Sequence, residues 1–311
     1  MRDAFTNTLY ELAKKNERIM ALVGDVGTIV FDKFRENFPN RFFNMGIAEA
    51  NMITVAAGLA SQGFIPFTYA IAPHITMRPY EQIKNDVCLN NTNVKIVSVG
   101  AGLHYSNQGP THHAIEDFAV LKVLPNMTIF SPCSPFESRE VTIAASEITG
   151  PVYIRIGRAT DTKVEYEFKV GKGVELLPGD DAAIITTGAM VYDSYMAAKE
   201  LKKEEISVRV INIHTIKPID RKIISKAARD TGVILTVEEH HIIGGLGDSV
   251  ASVILENGVC KSIKFKRMGI DDVFCSYNGT YQDIKEHYGL TKKHIIKQLK
   301  EIYNSRRNKN G

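Results

Sequence analysis

In the first half of the chain, short apolar runs rich in β-branched residues alternate with stretches whose apolar positions recur every three or four residues. The runs "IMALVGD" (19–25), "PFTYAI" (66–71), "VKIVSVG" (94–100), "MTIFSP" (127–132) and "VYIRIG" (152–157) read as strands. Helices are predicted over 31–37, 48–61, 79–90, 114–122 and 135–147, after an amphipathic N-terminal helix in "MRDAFTNTLYELAKK". The 135–147 helix has the clearest start, with Ser134 as N-cap, Pro135 at the first helical position and Glu137 in the first turn. After Arg158 the pattern breaks into the polar, Gly-containing stretch "ATDTKVEYEFKVGKGVELLPGDD". A second series then follows: "AAIITTG", a helix over 190–203, "SVRVINI", a helix over 219–229, "GVILTVEE", a helix over 246–256, "SIKFKRM" and a C-terminal helical region. Such alternation predicts an α/β protein with two domains and mostly parallel sheets. We place the domains at about 1–160 and 180–311, with a linker at 161–179.

Composition excludes several classes. The 311 residues are 44% hydrophobic and 23% charged, with a net charge of +3, ordinary for a globular protein and too small a surplus to imply nucleic acid. The basic end "SRRNKNG" reads as a solvated tail. Cys88, Cys133, Cys260 and Cys275 form no CxxC pair and no zinc spacing, so reduced thiols in a soluble cytoplasmic protein are expected. The longest apolar region, Ile53 to Pro73, is interrupted by Ser61, Gln62, Gly63 and Pro66 and does not read as a membrane span. The N-terminus lacks the character of a signal peptide.

One carboxylate stands out. In "FFNMGIAEANM" (42–52), Glu49 opens a predicted helix whose Met52, Val55, Ala56 and Leu59 make an apolar face. The bland explanation is the helix macrodipole, which favours an acid in the first turn. The alternative is a buried acid, costly without a partner and raised in pKa by desolvation, as proton-sharing acids are.

At this point a resemblance emerges. "MGIAEANM" resembles the GI-x-E segment of thiamine-diphosphate enzymes of the transketolase and deoxyxylulose-phosphate-synthase group. "GPTHHAIEDFAVLKVLPNMTIFSPCSPFE" and "GPVYIRIGR" resemble the later part of the family's pyrimidine-binding domain, and "TVEEHHIIGGLGDSVA" its C-terminal domain. The matches cover nearly the whole chain in the family's order. The "GDG" plus downstream Asn that binds the diphosphate and a divalent cation in full-length members is missing, and "VGDVG" at 23–27 is not that motif. The resemblance therefore implies the C-terminal subunit of a split transketolase. Thiamine diphosphate would be shared with a separate N-terminal subunit that carries Mg²⁺, in a dimer of heterodimers.

The resemblance also implies site residues. Glu49 would hydrogen-bond a pyrimidine nitrogen and favour the imino tautomer, activating the cofactor for two-carbon ketol transfer from a ketose to an aldehyde. Asp25 sits where members often carry an Asp. The stretch 67–78 would wall the pyrimidine, with Phe67, Tyr69, Ile71 and His74 as candidates, although strand alternation lets only one face touch a ligand. Arg78 matches a family arginine; its alternative is a surface charge. His112 of "GPTH" would face the substrate. Arg158 matches an arginine that binds substrate phosphate in some members. Gln108 replaces an Asp, and Gly100 a His, of sugar transketolases, which points to a sugar other than the usual pentose phosphates, a modified or nucleotide-linked one being possible. No metal site is expected on this chain: Glu238, Glu239, His240 and His241 alternate in direction along a strand end. Competing readings are a subunit that decarboxylates a 2-oxo acid, and a non-catalytic scaffolding chain.

Overall fold

The computed structural model describes residues 1–27, 29–158, 165–258 and 263–307. Part of the expected linker (161–164), Cys260 and the last residues of the basic tail lie outside them. Among the described residues the strands are β1 Ile19–Val23, β2 Phe42–Asn44, β3 Ile65–Ile71, β4 Lys95–Val99, β5 Thr128–Phe130, β6 Val152–Ile156, β7 Val174–Leu177, β8 Ala182–Thr186, β9 Val208–Asn212, β10 Thr215–Lys217, β11 Val233–His241 and β12 Lys264–Ile270. They form two sheets, β10-β5-β6-β4-β3-β1-β2 and β12-β11-β8-β9-β7. Every pairing is parallel except at two edges, where β10 runs against β5 and β7 against β9. The chain is thus two α/β domains. Strands β1, β4, β6, β8 and β9 are buried throughout because helices cover both faces, and the few polar side chains they carry, such as Lys95 and Arg155, are buried with them.

The two faces of the first sheet have separate cores. On one, the Glu49–Ser61 helix buries Met52, Ile53 and Ala56 with Ala70 and Ile75. On the other, the Arg2–Lys15 and Pro135–Glu147 helices bury Phe5, Leu9 and Val141 with Phe67 and Tyr69. The Pro135–Glu147 helix begins as predicted, with Ser134 Oγ accepting from the Glu137 amide.

Departures from the expected elements have local causes. The polar stretch after Arg158 carries the edge strand β7, whose residues are only partly buried. The single helix expected at 79–90 is a short turn, Tyr80–Gln82, followed by a π-helical segment, Ile83–Leu89, and a further helix, Ala72–Met77, precedes it. Strands β2 and β10, three residues each, had no periodic signal to give.

Strand β10 leaves the second domain to extend the first sheet, with Thr215 opposite Phe130. Beside it lies a buried polar junction. Glu137 accepts from the Cys133 amide (2.7 Å) and the Asn212 side chain (2.5 Å), and from the Tyr166 hydroxyl. Burial pushes the Glu137 carboxyl up. The His214 ring lies 4.4 Å from that of Phe168, and burial pushes its pKa down to about 4. The unfolded chain therefore binds the proton first as pH falls from the ordinary value of 6.5. The stability tied to neutral His214 is present above that value and is lost as pH drops through about 4. We expect His214→Asn to flatten this acid limb in urea titrations between pH 7 and 4.

Candidate active site

Ligands of open parallel sheets bind beyond the carboxyl ends of the strands. That is where Glu49 lies. The chain leaves β2 at Asn44, turns at Gly46, whose φ is +70°, and starts the helix at Glu49. The Asn44 side chain braces this turn: its Oδ1 accepts from the Asp25 and Gly46 amides (3.2 and 3.0 Å), and its Nδ2 donates to Asp25 Oδ1 (3.0 Å). Asp25 itself is solvent-exposed at the end of β1.

Glu49 is 3% exposed although it sits in the first turn of a helix. The macrodipole does not account for this burial, and a buried carboxylate needs a partner. Arg78 supplies it: Nη1 donates to Glu49 Oε1 and Oε2 at 2.9 and 2.8 Å. The Arg78 side chain is 46% exposed, so the pair reaches from the protein interior to solvent. His74 Nδ1 lies 3.9 Å from Glu49 Oε1. Burial, then the Arg78 charge, push the His74 pKa down, partly offset by Glu49. His74 is T-stacked on His112 at 5.2 Å, and His112 on Tyr105 at 6.2 Å. Thr111 Oγ1 lies 3.0 Å from His112 Nδ1 and helps to fix that ring.

The structure thus brings Glu49, His74, Arg78 and His112 together. Ile71, at the end of β3, leads into the helix that carries His74. Phe67 and Tyr69 are elsewhere, and this corrects their expected position beside a ligand. Both are 1% exposed and pack against Phe5, at 6.3 and 6.0 Å between rings, with Tyr69 also edge-on to Phe31 at 5.1 Å. The alternation of β3 sends them to the face opposite the Glu49 helix and leaves Ala70 on the Glu49 side.

Gln108 is exposed in the 104–112 loop. Arg158, also exposed, follows β6 and lines a cavity of ≈ 1020 Å³ with Ser106 and Asn107 of the same loop and residues of the second domain. Gly100, at φ +80°, has Tyr105 against it: a Cβ there would lie 2.0 Å from Tyr105 Cε2. Tyr105 takes the room that any side chain at position 100 would need, a coupling with no signature in the linear sequence. Glu238 to His241 do not converge: Glu238 caps the next helix through the Leu246 and Gly247 amides (2.6 and 2.8 Å), while Glu239 turns to Leu103. Among the described residues no three His, Cys, Asp or Glu side chains could hold a metal ion, and no helix is long and apolar enough to cross a membrane.

By fold, then, the chain is a two-domain α/β protein with a guarded carboxylate where parallel sheets bind ligands. It belongs to the transketolase family: residues 1–160 match the transketolase pyrimidine binding domain and residues 171–295 the transketolase C-terminal domain. It is 38% identical over 306 residues to an apulose-4-phosphate transketolase subunit of Phocaeicola vulgatus, covering 97% of this chain and 96% of that one. It is 35% identical over 306 residues to a 6-deoxy-6-sulfo-D-fructose transketolase subunit of Clostridium sp. (strain MSTE9), covering 97% and 94%. A split gene transketolase in an inactive β4 tetramer superposes with a TM-score of 0.89 at 39% identity, covering 97% of this chain and 98% of that one.

Proposed function

We propose that this chain is the C-terminal subunit of a split, thiamine-diphosphate-dependent transketolase, and that Glu49 acts on the pyrimidine end of the cofactor. The observation that carries this reading is the buried Glu49 carboxylate, which among the described residues takes hydrogen bonds from Arg78 alone. A buried carboxyl with one exchangeable partner fits a ring nitrogen. Nothing comparable among the described residues fits a diphosphate with its metal, and we assign both to a partner subunit. When bound, the cofactor supplies the electron sink that lets a ketose carbon–carbon bond break.

The chain's own residues then have distinct tasks. Glu49 holds a proton at the ring nitrogen, shielded from water. Arg78 neutralises Glu49 when no ring is present. His74 and His112 wall the cleft, and His112 faces the sugar with Gln108 and Arg158. Asp25 holds the end of β1 to the turn before Glu49.

Exposed apolar residues support the need for a partner. Ile29, Ile47 and Met77 are exposed, and each follows the carboxyl end of a neighbouring parallel strand, β1, β2 or β3, around Glu49. Phe43, on the edge strand β2, adds to the same rim. The named relatives act on unusual sugars, and Gln108 and Gly100 support a substrate other than the common pentose phosphates.

The test is to co-express the chain with an N-terminal transketolase subunit from the same organism and assay two-carbon transfer. We expect transfer that depends on thiamine diphosphate and Mg²⁺ and is weak from xylulose 5-phosphate to ribose 5-phosphate. Ordinary turnover of that pair would overturn the altered-substrate part. Pyruvate decarboxylation in place of ketol transfer would overturn the reaction type.

A further inference from the structure

The ≈ 1020 Å³ cavity lies where the second domain meets the 103–109 loop and the end of β6. Its charged lining is uneven. Lys285, a buried amine, is paired with Asp193, so these two cancel. Arg158 is exposed and, among the described residues, has no carboxylate partner. What holds it is an aromatic ring: its Cζ lies 4.6 Å from the centroid of Tyr281. The Lys285 amine lies 5.4 Å from the same centroid.

Tyr281 is itself fixed. Its hydroxyl faces Glu239, a buried carboxylate whose Oε1 accepts from the Leu103 amide at 3.0 Å. Glu239 presses on the loop so closely that a Cβ at Gly102, where φ is +63°, would fall 2.6 Å from its Cδ. Two residues of the second domain therefore set both walls of the cavity, Arg158 through Tyr281 and the 103–109 loop through Glu239. That loop continues to the proposed catalytic cleft: Ser106 and Asn107 line the cavity, while Tyr105 and His112 stack towards His74 and Glu49. A guanidinium held over an aromatic ring by cation–π attraction keeps N–H donors available for an oxyanion.

We infer that Tyr281 is a positioning residue that holds Arg158 for the anionic end of the sugar, so that the second domain takes part in substrate recognition. This deepens the ketol-transfer reading and rests on it. In the assembled complex, Tyr281→Leu raises KM for ribose 5-phosphate about tenfold with little change in kcat, and leaves KM for unphosphorylated ribose in place. Tyr281→Phe, which keeps the ring, returns KM towards the wild-type value. An equal rise for both sugars, or no rise, overturns the inference. Calorimetry separates this failure from failure of the reaction assignment. Ribose 5-phosphate should bind the complex more tightly than ribose does, lose that advantage in Tyr281→Leu and Arg158→Ala, and keep it in Glu49→Gln, whatever reaction the complex catalyses. No preference for the phosphorylated sugar in the wild type would also overturn it.

Discussion

Glu49→Gln in the assembled complex should cut ketol transfer by about 10²–10⁴-fold, the usual contribution of a positioned acid or base. Gln matches Glu in shape, and its carbonyl oxygen can still accept from Arg78, so the helix start and the buried packing should persist. What is lost is the ability to hold and release a proton at the ring nitrogen. The effect should fall on kcat, with an unchanged circular-dichroism spectrum and an unchanged affinity between subunits. A purely structural Glu49, serving the helix dipole, would instead cost about 0.3–1 kcal/mol of stability and leave turnover intact. A scaffolding role for the chain would give the same null effect on turnover, so the one variant separates catalysis from both alternatives.

The second large effect should come from Asp117. Its carboxylate is fully buried and meets Arg155 Nε at 2.7 Å and the Tyr153 hydroxyl at 2.6 Å. Arg155, itself buried, spends its Nη2 on the Ala114 and Glu239 carbonyls, at 2.8 and 3.0 Å, and so links the two domains. Asp117→Ala leaves a guanidinium in the interior without its counter-charge, which typically costs about 3–5 kcal/mol. Urea unfolding should show that loss as a lower midpoint. An Asp117→Ala, Arg155→Met double variant should recover part of it, because the uncompensated charge is then removed as well. If the single variant lost less than about 1 kcal/mol, the pair would be behaving like a surface salt bridge.

How far the sequence spoke for itself varied with the range of the interaction involved. The Pro135–Glu147 helix was legible almost to the residue because its signals, a Ser cap, a Pro and a first-turn acid, act within one turn. Strands β4 and β6 were legible because both faces are covered. The antiparallel return of β10 was not, since three residues of edge strand are defined by their partner β5 and not by their own pattern. In the site, Glu49 and Arg78 could be picked out, but their ion pair, one Arg78 nitrogen shared between both carboxylate oxygens, spans 29 residues and has no local signature. Phe67 and Tyr69 show the limit from the other side: a period of two identifies alternating faces without saying which one meets a ligand. Tyr281 has no signal in the sequence and Glu239 reads only as one of four residues that do not converge, because their partners, Arg158 and Leu103, lie more than a hundred residues away.

The most direct measurement is a crystal structure of the two-subunit complex with thiamine diphosphate. We expect a Glu49 carboxyl oxygen within hydrogen-bonding reach of a pyrimidine nitrogen, about 2.6–3.2 Å, with the diphosphate and its metal held by the other subunit. A cofactor bound entirely by one polypeptide, with Glu49 still clasped by Arg78 and no ring beside it, would contradict the shared site.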